Sequence, residues 1–255
     1  MKFVGKSLKR VDGVKKVTGS LKYVDDIKLP RMLYAAVKRS PHAHANIVNI
    51  NIEKAKALKG VKDIITGEHF TKKGGLYLED KNFLAVGKAR YSGEAVVAVC
   101  AETEEIAQEA VDLIEIEYEV LPAVTDAKDG MKTDSPLVHP DLGDYHWAPV
   151  FFPKPGTNIS NHYTLRKGDA PKAFKEADYV FDNNFYVPHV QHVPIEPHTA
   201  IAQMDVDGYL TVWSSCQSPY AVRQTLSVAF DIPLNKLRVI SPAVGGGFGS
   251  KAGTT

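Results

Sequence analysis

The feature that most limits how this chain can fold is a glycine-rich segment at residues 244–251, VGGGFGSK. A short apolar strand, residues 237–241, leads directly into it. Each ordered glycine costs roughly 0.5–1 kcal/mol relative to alanine, so ordered glycine runs occur where main chain must approach another group or adopt positive φ. Successive N–H groups then form a cradle for an anion or a strong hydrogen-bond acceptor. The sequence therefore predicts a ligand cradle walled by Phe248, with a flexible glycine tail as the alternative.

Two common glycine-rich motifs are excluded by spacing. A Walker-type phosphate loop needs Gly-Lys followed by Ser or Thr, whereas here Ser250 precedes Lys251 and Ala252 follows it. A dinucleotide fingerprint needs a third glycine where Ser250 stands. Nucleotide binding is therefore the weakest of the functions that the loop suggests.

The amino-acid composition is that of an ordinary globular protein. The chain has 255 residues, 44% hydrophobic and 24% charged, with a net charge of +1. This charge gives no electrostatic footprint for nucleic acid or membrane, so we expect neither as a partner. The two cysteines, Cys100 and Cys216, lie in or beside apolar runs and are expected to be buried free thiols. With no apolar signal segment after the basic N-terminus and no membrane-length run, we expect a cytoplasmic protein.

The hydrophobic pattern predicts an α/β (α+β) chain in four parts. Residues 1–20 are expected to form an extended arm, and residues 21–125 a first domain. Residues 126–157 are rich in Pro, Gly and Asp and are expected to be a linker, because long structureless stretches are uncommon inside a compact domain. Residues 158–255 would then begin a second domain.

The clearest local unit spans residues 94–120. An apolar strand, 94–101, precedes a helix capped by Thr103, and an alternating strand, 116–120, follows. This order predicts a βαβ-type unit on one sheet. Further strands are predicted at 33–38, 45–50, 61–65, 179–190, 200–204, 210–213 and 237–241. Further helices are predicted at 51–58, at 172–177 and from Ser218-Pro219, with Ser218 as the cap.

Six polar residues of the second half are candidate ligands: His189, Gln191, His192, Glu196, His198 and Gln217. The histidines and the glutamate suggest a metal site, but the neighbouring prolines predict an irregular extended segment, so helical ligand spacing does not apply. On spacing alone, structural histidines are the better interpretation.

Gln217 is placed differently, because it lies between a strand and the start of a helix. The glycine loop follows the next strand. If the two strands are parallel neighbours joined by the helix, Gln217 and Phe248 leave the sheet at the same edge, where α/β proteins bind ligands. A purely structural cap is the equally good alternative from the pattern alone.

Seven ordered motifs resemble the molybdenum-cofactor-binding subunit of the xanthine dehydrogenase/aldehyde oxidase family. They include SSCQSPYAVRQTL and VGGGFGSK, and in order they are residues 11–27, 35–47, 91–124, 161–169, 194–202, 214–226 and 244–251. The resemblance covers nearly the whole chain. It implies that residues 21–125 form an α/β-hammerhead domain and that residues 158–255 form the first part of a mixed α/β molybdopterin-binding domain.

The resemblance also implies roles for individual residues. Gln217 would lie near the apical oxo group of molybdenum as the catalytic contact of this chain. Phe248 and Gly249 would line the molybdenum and pterin site, and the N–H groups of Gly246 and Gly247 would hydrogen-bond the pterin or its oxo ligand. No side chain would ligate the metal directly.

The family reaction is hydroxylation of an electron-poor carbon of an N-heterocycle or aldehyde, with oxygen from water. The resemblance implies a molybdenum–molybdopterin cofactor, with the cytosine dinucleotide form as one option. Partner subunits would carry [2Fe-2S] clusters and FAD.

Two departures from the family pattern limit these expectations. Xanthine-oxidising members have a glutamate where this chain has Ala252, so a less polar heterocycle or an aldehyde is the better expectation. The family's general base lies in a downstream segment that these residues do not include, and Glu196 is not assigned that role.

The sequence therefore favours one part of a split or truncated molybdenum subunit, completed by a complementary molybdopterin-binding chain. The alternative is a non-catalytic fragment or assembly module with a folded hammerhead domain. Both keep the same residues, so the sequence leaves the choice open.

Overall fold

The computed structural model describes residues 3–75 and 77–253, which divide into two compact units. The first unit comprises residues 3–75, 81–120 and 192–253, and the second comprises residues 77–80 and 121–191. The strands are β1 Tyr34–Arg39, β2 Ala45–Asn51, β3 Val61–Thr66, β4 Lys88–Ala89, β5 Ala95–Ala101, β6 Glu115–Val120, β7 Ala200–Met204, β8 Leu210–Ser214 and β9 Leu237–Ile240. The helices are α1 Gly13–Val17, α2 Glu53–Ala57, α3 Glu104–Leu113, α4 Ala127–Gly130, α5 Ala170–Glu176 and α6 Pro219–Phe230. The predicted mixed class is confirmed.

The core of the first unit forms where α3 packs on the sheet β1-β5-β3. Strand β5 is central, and its Val97 and Val99 are almost fully buried. The Thr103 side chain accepts a hydrogen bond from the Ile106 N–H, so it caps α3 as predicted. The helix buries Ala110, and Ile114 follows in the same core.

The predicted βαβ-type unit is wrong. Strand β5 pairs antiparallel with both β1 and β3, whereas β6 belongs to a second sheet, β4-β2-β6, and pairs antiparallel with β2. Strand, helix and strand therefore link two sheets instead of forming a crossover within one. Local spacing does not encode the sheet that a strand joins, because strand pairing is decided by partners distant in sequence.

Two other predictions, one for the N-terminal arm and one for the cap of α6, need correction. The N-terminal arm is not wholly extended, because α1 forms within it, although none of its residues is buried. Ser218 occupies the cap position of α6, but its side chain makes no capping hydrogen bond; Pro219 begins the helix as predicted.

The second unit has little regular structure. It has a small core of Leu78, Leu142 and Tyr145, against which Phe151 packs. The predicted strand at 179–190 is wrong: these residues are exposed and in neither helix nor strand. An isolated strand is not stable without a neighbour, and no described residue hydrogen-bonds to the main chain there.

Within residues 3–75 and 77–253, no helix has the length and apolar character needed to cross a membrane.

The packing of α3 gives a stability prediction. Ile114→Ala removes most of a side chain that is only 2% exposed, so it should destabilise the protein by about 2–5 kcal/mol. Val206, which is fully exposed, is the control, and Val206→Ala should change stability by less than about 0.5 kcal/mol. Guanidinium unfolding of the purified protein measures both, and equal midpoints for the two variants would contradict the core described here.

Candidate functional site

The site is built on the parallel pairing of β8 with β9. Their register runs from Leu210 opposite Leu237 to Trp213 opposite Ile240, and α6 connects the two strands. Because the strands are parallel, their carboxyl ends meet at the same edge of the sheet. Beyond them the Ser241 hydroxyl donates to the Cys216 carbonyl over 2.8 Å, which fastens the two emerging segments together.

Gln217 faces the glycine loop, as the sequence predicts. The Gly249 N–H donates to Gln217 Oε1 over 3.0 Å, and the Gln217 N–H donates to the Lys251 carbonyl over 2.8 Å. The side chain is exposed, and its Nε2 makes no hydrogen bond to the described part of the chain. With Oε1 engaged by the loop, the amide presents its N–H donors to a ligand.

The glycines of the loop are required for two different reasons. A Cβ on Gly245 would lie 2.5 Å from the Cβ of Glu196, and a Cβ on Gly247 would lie 2.5 Å from Gln217 Oε1. Both distances are shorter than real Cβ contacts, so these two glycines allow close packing. Gly246 and Gly249 instead have φ of +101°, which side-chain-bearing residues rarely adopt.

The loop presents three successive main-chain donors. The N–H groups of Gly246, Gly247 and Phe248 make no hydrogen bond to residues 3–75 or 77–253. Phe248 itself has φ of +52°, a conformation that costs on the order of 1–3 kcal/mol for a non-glycine residue. Its ring remains 74% exposed beside this row of donors. The arrangement is a cradle for an acceptor-rich ligand with an aromatic wall.

Glu196 and Lys251 form a buried ion pair that holds the loop. Lys251 Nζ and the Gly245 N–H each donate to Glu196 Oε2 over 2.7 Å. The Lys251 side chain is 0% exposed and that of Glu196 is 11% exposed. Sequence reasoning included Glu196 only as a candidate ligand and missed its lysine partner. No local pattern signals a buried lysine, because its burial depends on segments far apart in the chain.

The candidate histidines lie in different places. His192 Nε2 is 3.5 Å from the Cβ position of Gly249, so it flanks the loop. Burial, followed by the positive charges of Lys251 and His192, lowers the pKa of His198, which favours a neutral imidazole. His189 and Gln191 belong to the second unit. Across residues 3–75 and 77–253, no three His, Cys, Asp or Glu side chains cluster in a way that could hold a metal ion.

Two family models match the chain in order. Residues 18–122 match the aldehyde oxidase and xanthine dehydrogenase a/b hammerhead domain, and residues 151–255 match the molybdopterin cofactor-binding domain.

Named relatives match over nearly the whole chain. The nicotinate dehydrogenase large molybdopterin subunit of Eubacterium barkeri is 34% identical over 97% of this chain and 55% of the relative. The xanthine dehydrogenase molybdenum-binding subunit of Escherichia coli is 35% identical over 95% of this chain and 32% of the relative. The chain thus spans between about a third and just over half of these relatives.

Solved structures agree with the fold. Carbon monoxide dehydrogenase from Oligotropha carboxidovorans matches with a TM-score of 0.84 and 33% identity, over 98% of this chain and 32% of that one. Quinoline 2-oxidoreductase from Pseudomonas putida 86 matches with a TM-score of 0.81 and 30% identity, over 97% of this chain and 31% of that one. With both domain matches in order, the chain belongs to the xanthine dehydrogenase/aldehyde oxidase family, with residues that match its hammerhead domain followed by residues that match its molybdopterin cofactor-binding domain.

Proposed function

We propose that this chain is part of a molybdenum hydroxylase and that the glycine loop, Phe248 and Gln217 hold its molybdenum–molybdopterin cofactor. The observation that carries the proposal is the cradle itself. Three main-chain donors, of Gly246, Gly247 and Phe248, lie together with the free amide donor of Gln217, and none has a partner within the described chain. Such a row of donors is typical of sites for anionic or oxygen-rich ligands.

The residues fit this group chemically. A metal-bound oxo oxygen and the pterin heteroatoms are acceptors, which match the main-chain donors of the loop and Nε2 of Gln217. The cofactor is bulky, and glycines let main chain approach it where side chains would intrude. The exposed ring of Phe248 would supply an apolar wall against one side of the bound cofactor. In this proposal the pterin holds the metal, and the protein contacts the cofactor through the loop and Gln217.

When bound, the cofactor supplies the oxidative chemistry, in which an electron-poor carbon gains a water-derived oxygen and electrons pass onward to iron–sulfur clusters and flavin. The residues of this chain bind and orient. Gln217, fixed by the Gly249 N–H, holds its amide donor in place before any ligand arrives, so little reorganisation is needed at the reacting centre.

Glu196 is not free to act as a general base. Its Oε2 already accepts from Lys251 and from the Gly245 N–H. That oxygen is therefore engaged by the loop, and the other oxygen, Oε1, is buried. We therefore place the general base outside these 255 residues.

The proposal for the substrate class rests on the absence of a carboxylate at position 252. Ala252 has no polar group where the resemblance expects a glutamate, so a heterocycle that needs a carboxylate partner would lose that contact. A less polar N-heterocycle or an aldehyde fits better. The relatives are named for nicotinate, xanthine, carbon monoxide and quinoline, so they favour no single substrate.

Further polypeptide is proposed to complete the site. Residues 179–190 expose six large aromatic or β-branched side chains at more than 80%: Tyr179, Phe181, Phe185, Tyr186, Val187 and Val190. Their main chain has no partner in the described residues. Sequence outside this chain, supplied by the rest of the molybdopterin-binding region, would pair with this segment.

We also propose iron–sulfur and FAD subunits as partners, a cytoplasmic location, and the domain division at 21–125, 126–157 and 158–255.

Cofactor content tests the proposal directly. The natively purified protein, with whatever chains accompany it, should contain about one molybdenum and one pterin per copy of this chain. Elemental analysis and pterin fluorescence after oxidation measure the two quantities. A folded, fully assembled protein without either would instead favour an assembly module.

Gln217→Ala should lower kcat of the holoenzyme by about 10²-fold, because one preorganised donor is lost at the reacting centre. Folding should be nearly unchanged, since the side chain is exposed. Steady-state kinetics with the enzyme's substrate, alongside thermal unfolding, measure both effects. Wild-type turnover in this variant would remove Gln217 from the proposed role.

Gly247→Ala should resemble Gln217→Ala. The added methyl would lie 2.5 Å from Gln217 Oε1 and must push that side chain out of place, whereas φ at this position is unremarkable. Gly253→Ala is the matched control, because a Cβ there meets nothing within 4 Å. Kinetics should show a loss of turnover for the first variant alone; equal activity of the two would refute the packing argument.

A further inference from the structure

A buried ion pair joins the two ends of the glycine loop. At one end the Gly245 N–H donates to Glu196 Oε2 over 2.7 Å, and the Glu196 N–H donates back to the Gly245 carbonyl over 3.3 Å. At the other end Lys251 Nζ reaches the same Oε2 over 2.7 Å. One carboxylate oxygen therefore closes residues 245–251 into a ring.

The same lysine also positions Gln217. The Lys251 carbonyl accepts the Gln217 N–H over 2.8 Å, while the Lys251 side chain is held by Glu196. Moving Lys251 would thus move both the loop end and the main chain of Gln217. Because the Gly249 N–H donates to Gln217 Oε1, the side-chain amide would follow.

Stability alone does not account for this pair. Removing two charges from water costs several kcal/mol per ion, so a buried pair is often no better than an apolar pair of the same size. The second oxygen, Glu196 Oε1, is also buried and has no hydrogen-bond partner in the described chain. A carboxylate kept with one oxygen unsatisfied contributes less stability than a satisfied one. We infer that the ion pair instead fixes the positions of the two ends of the loop.

We propose that Glu196 and Lys251 are positioning residues that preorganise the glycine loop and Gln217 for the cofactor. The inference rests on the proposed function for its catalytic consequence, whereas its structural consequence is independent of any cofactor. With the ion pair intact, the N–H groups of residues 246–248 make no hydrogen bond to the described chain and stay available to a ligand.

The test uses four variants of the full protein and one control variant, each purified with its accompanying chains. Glu196→Asp keeps the charge, and therefore the fold, but shortens the side chain by one carbon so that it cannot reach both donors. Glu196→Gln and Lys251→Met each leave one buried charge unpaired. The double variant E196Q/K251M leaves none and keeps an oxygen acceptor for the Gly245 N–H. Glu102→Asp is the matched control, since its ion pair with Lys62 is of similar length, 2.6 Å, but the Lys62 and Glu102 side chains are 46% and 54% exposed.

Hydrogen–deuterium exchange of the peptide containing residues 242–252 is the first measurement. We expect exchange to rise about tenfold or more in Glu196→Asp and in both single charge-removing variants, because charge-assisted hydrogen bonds of the loop are lost. The double variant should recover part of this protection. Exchange in β1 and β5 should not change, and Glu102→Asp should match the parent everywhere.

Kinetics of the holoenzyme are the second measurement. Glu196→Asp should lower kcat about tenfold and leave KM within about twofold, because misplacing Gln217 affects the reacting centre more than substrate binding. Loop exchange equal to the parent in Glu196→Asp, or a rise spread evenly over β1 and β5, would overturn the inference. A protein that lacks molybdenum would refute the proposed function only, since loop exchange still decides the role of the ion pair.

Discussion

The parallel pairing of β8 with β9 is the constraint on which the site depends. Among the strand pairs within residues 3–75 and 77–253 it is the one parallel pair, and a parallel pair needs a crossover, here α6. The crossover delivers two segments to the same sheet edge. One carries Gln217 and the other carries the glycine loop, so their contact follows from topology. An antiparallel connection would have sent them to opposite ends.

The site is mainly main chain, and its side chains serve to shape it. Glycines at 245 and 247 leave room for Glu196 and Gln217, which in turn hold the loop through its N–H groups. The buried charge of Lys251 is tolerated because Glu196 lies 2.7 Å away. A ligand that needs several donors at once is served better by a fixed row of N–H groups than by flexible side chains, because the cost of ordering is met during folding.

The hammerhead region is built from antiparallel sheets and a packed helix. Its two sheets are antiparallel, and α3 covers one of them with a narrow apolar stripe. The second unit lacks such a frame, and residues 179–190 remain exposed although they are rich in aromatic and β-branched side chains, as strands are. Such side chains favour a strand, but their burial requires a partner. When the described residues provide no partner strand, a strand-like sequence does not form a strand.

Sequence alone was sufficient where local chemistry decides the structure. It placed the strands around the loop, the Thr103 cap and the glycines, because periodicity, capping and φ preferences act over a few residues. It also identified the family through ordered motifs. It did not reveal that β5 and β6 belong to separate sheets, that 179–190 stays irregular, or that Lys251 is buried against Glu196. Each of those depends on which distant segments meet. The free energy of pairing a strand or of burying a charge depends on both partners, so the sequence of one segment alone does not determine it.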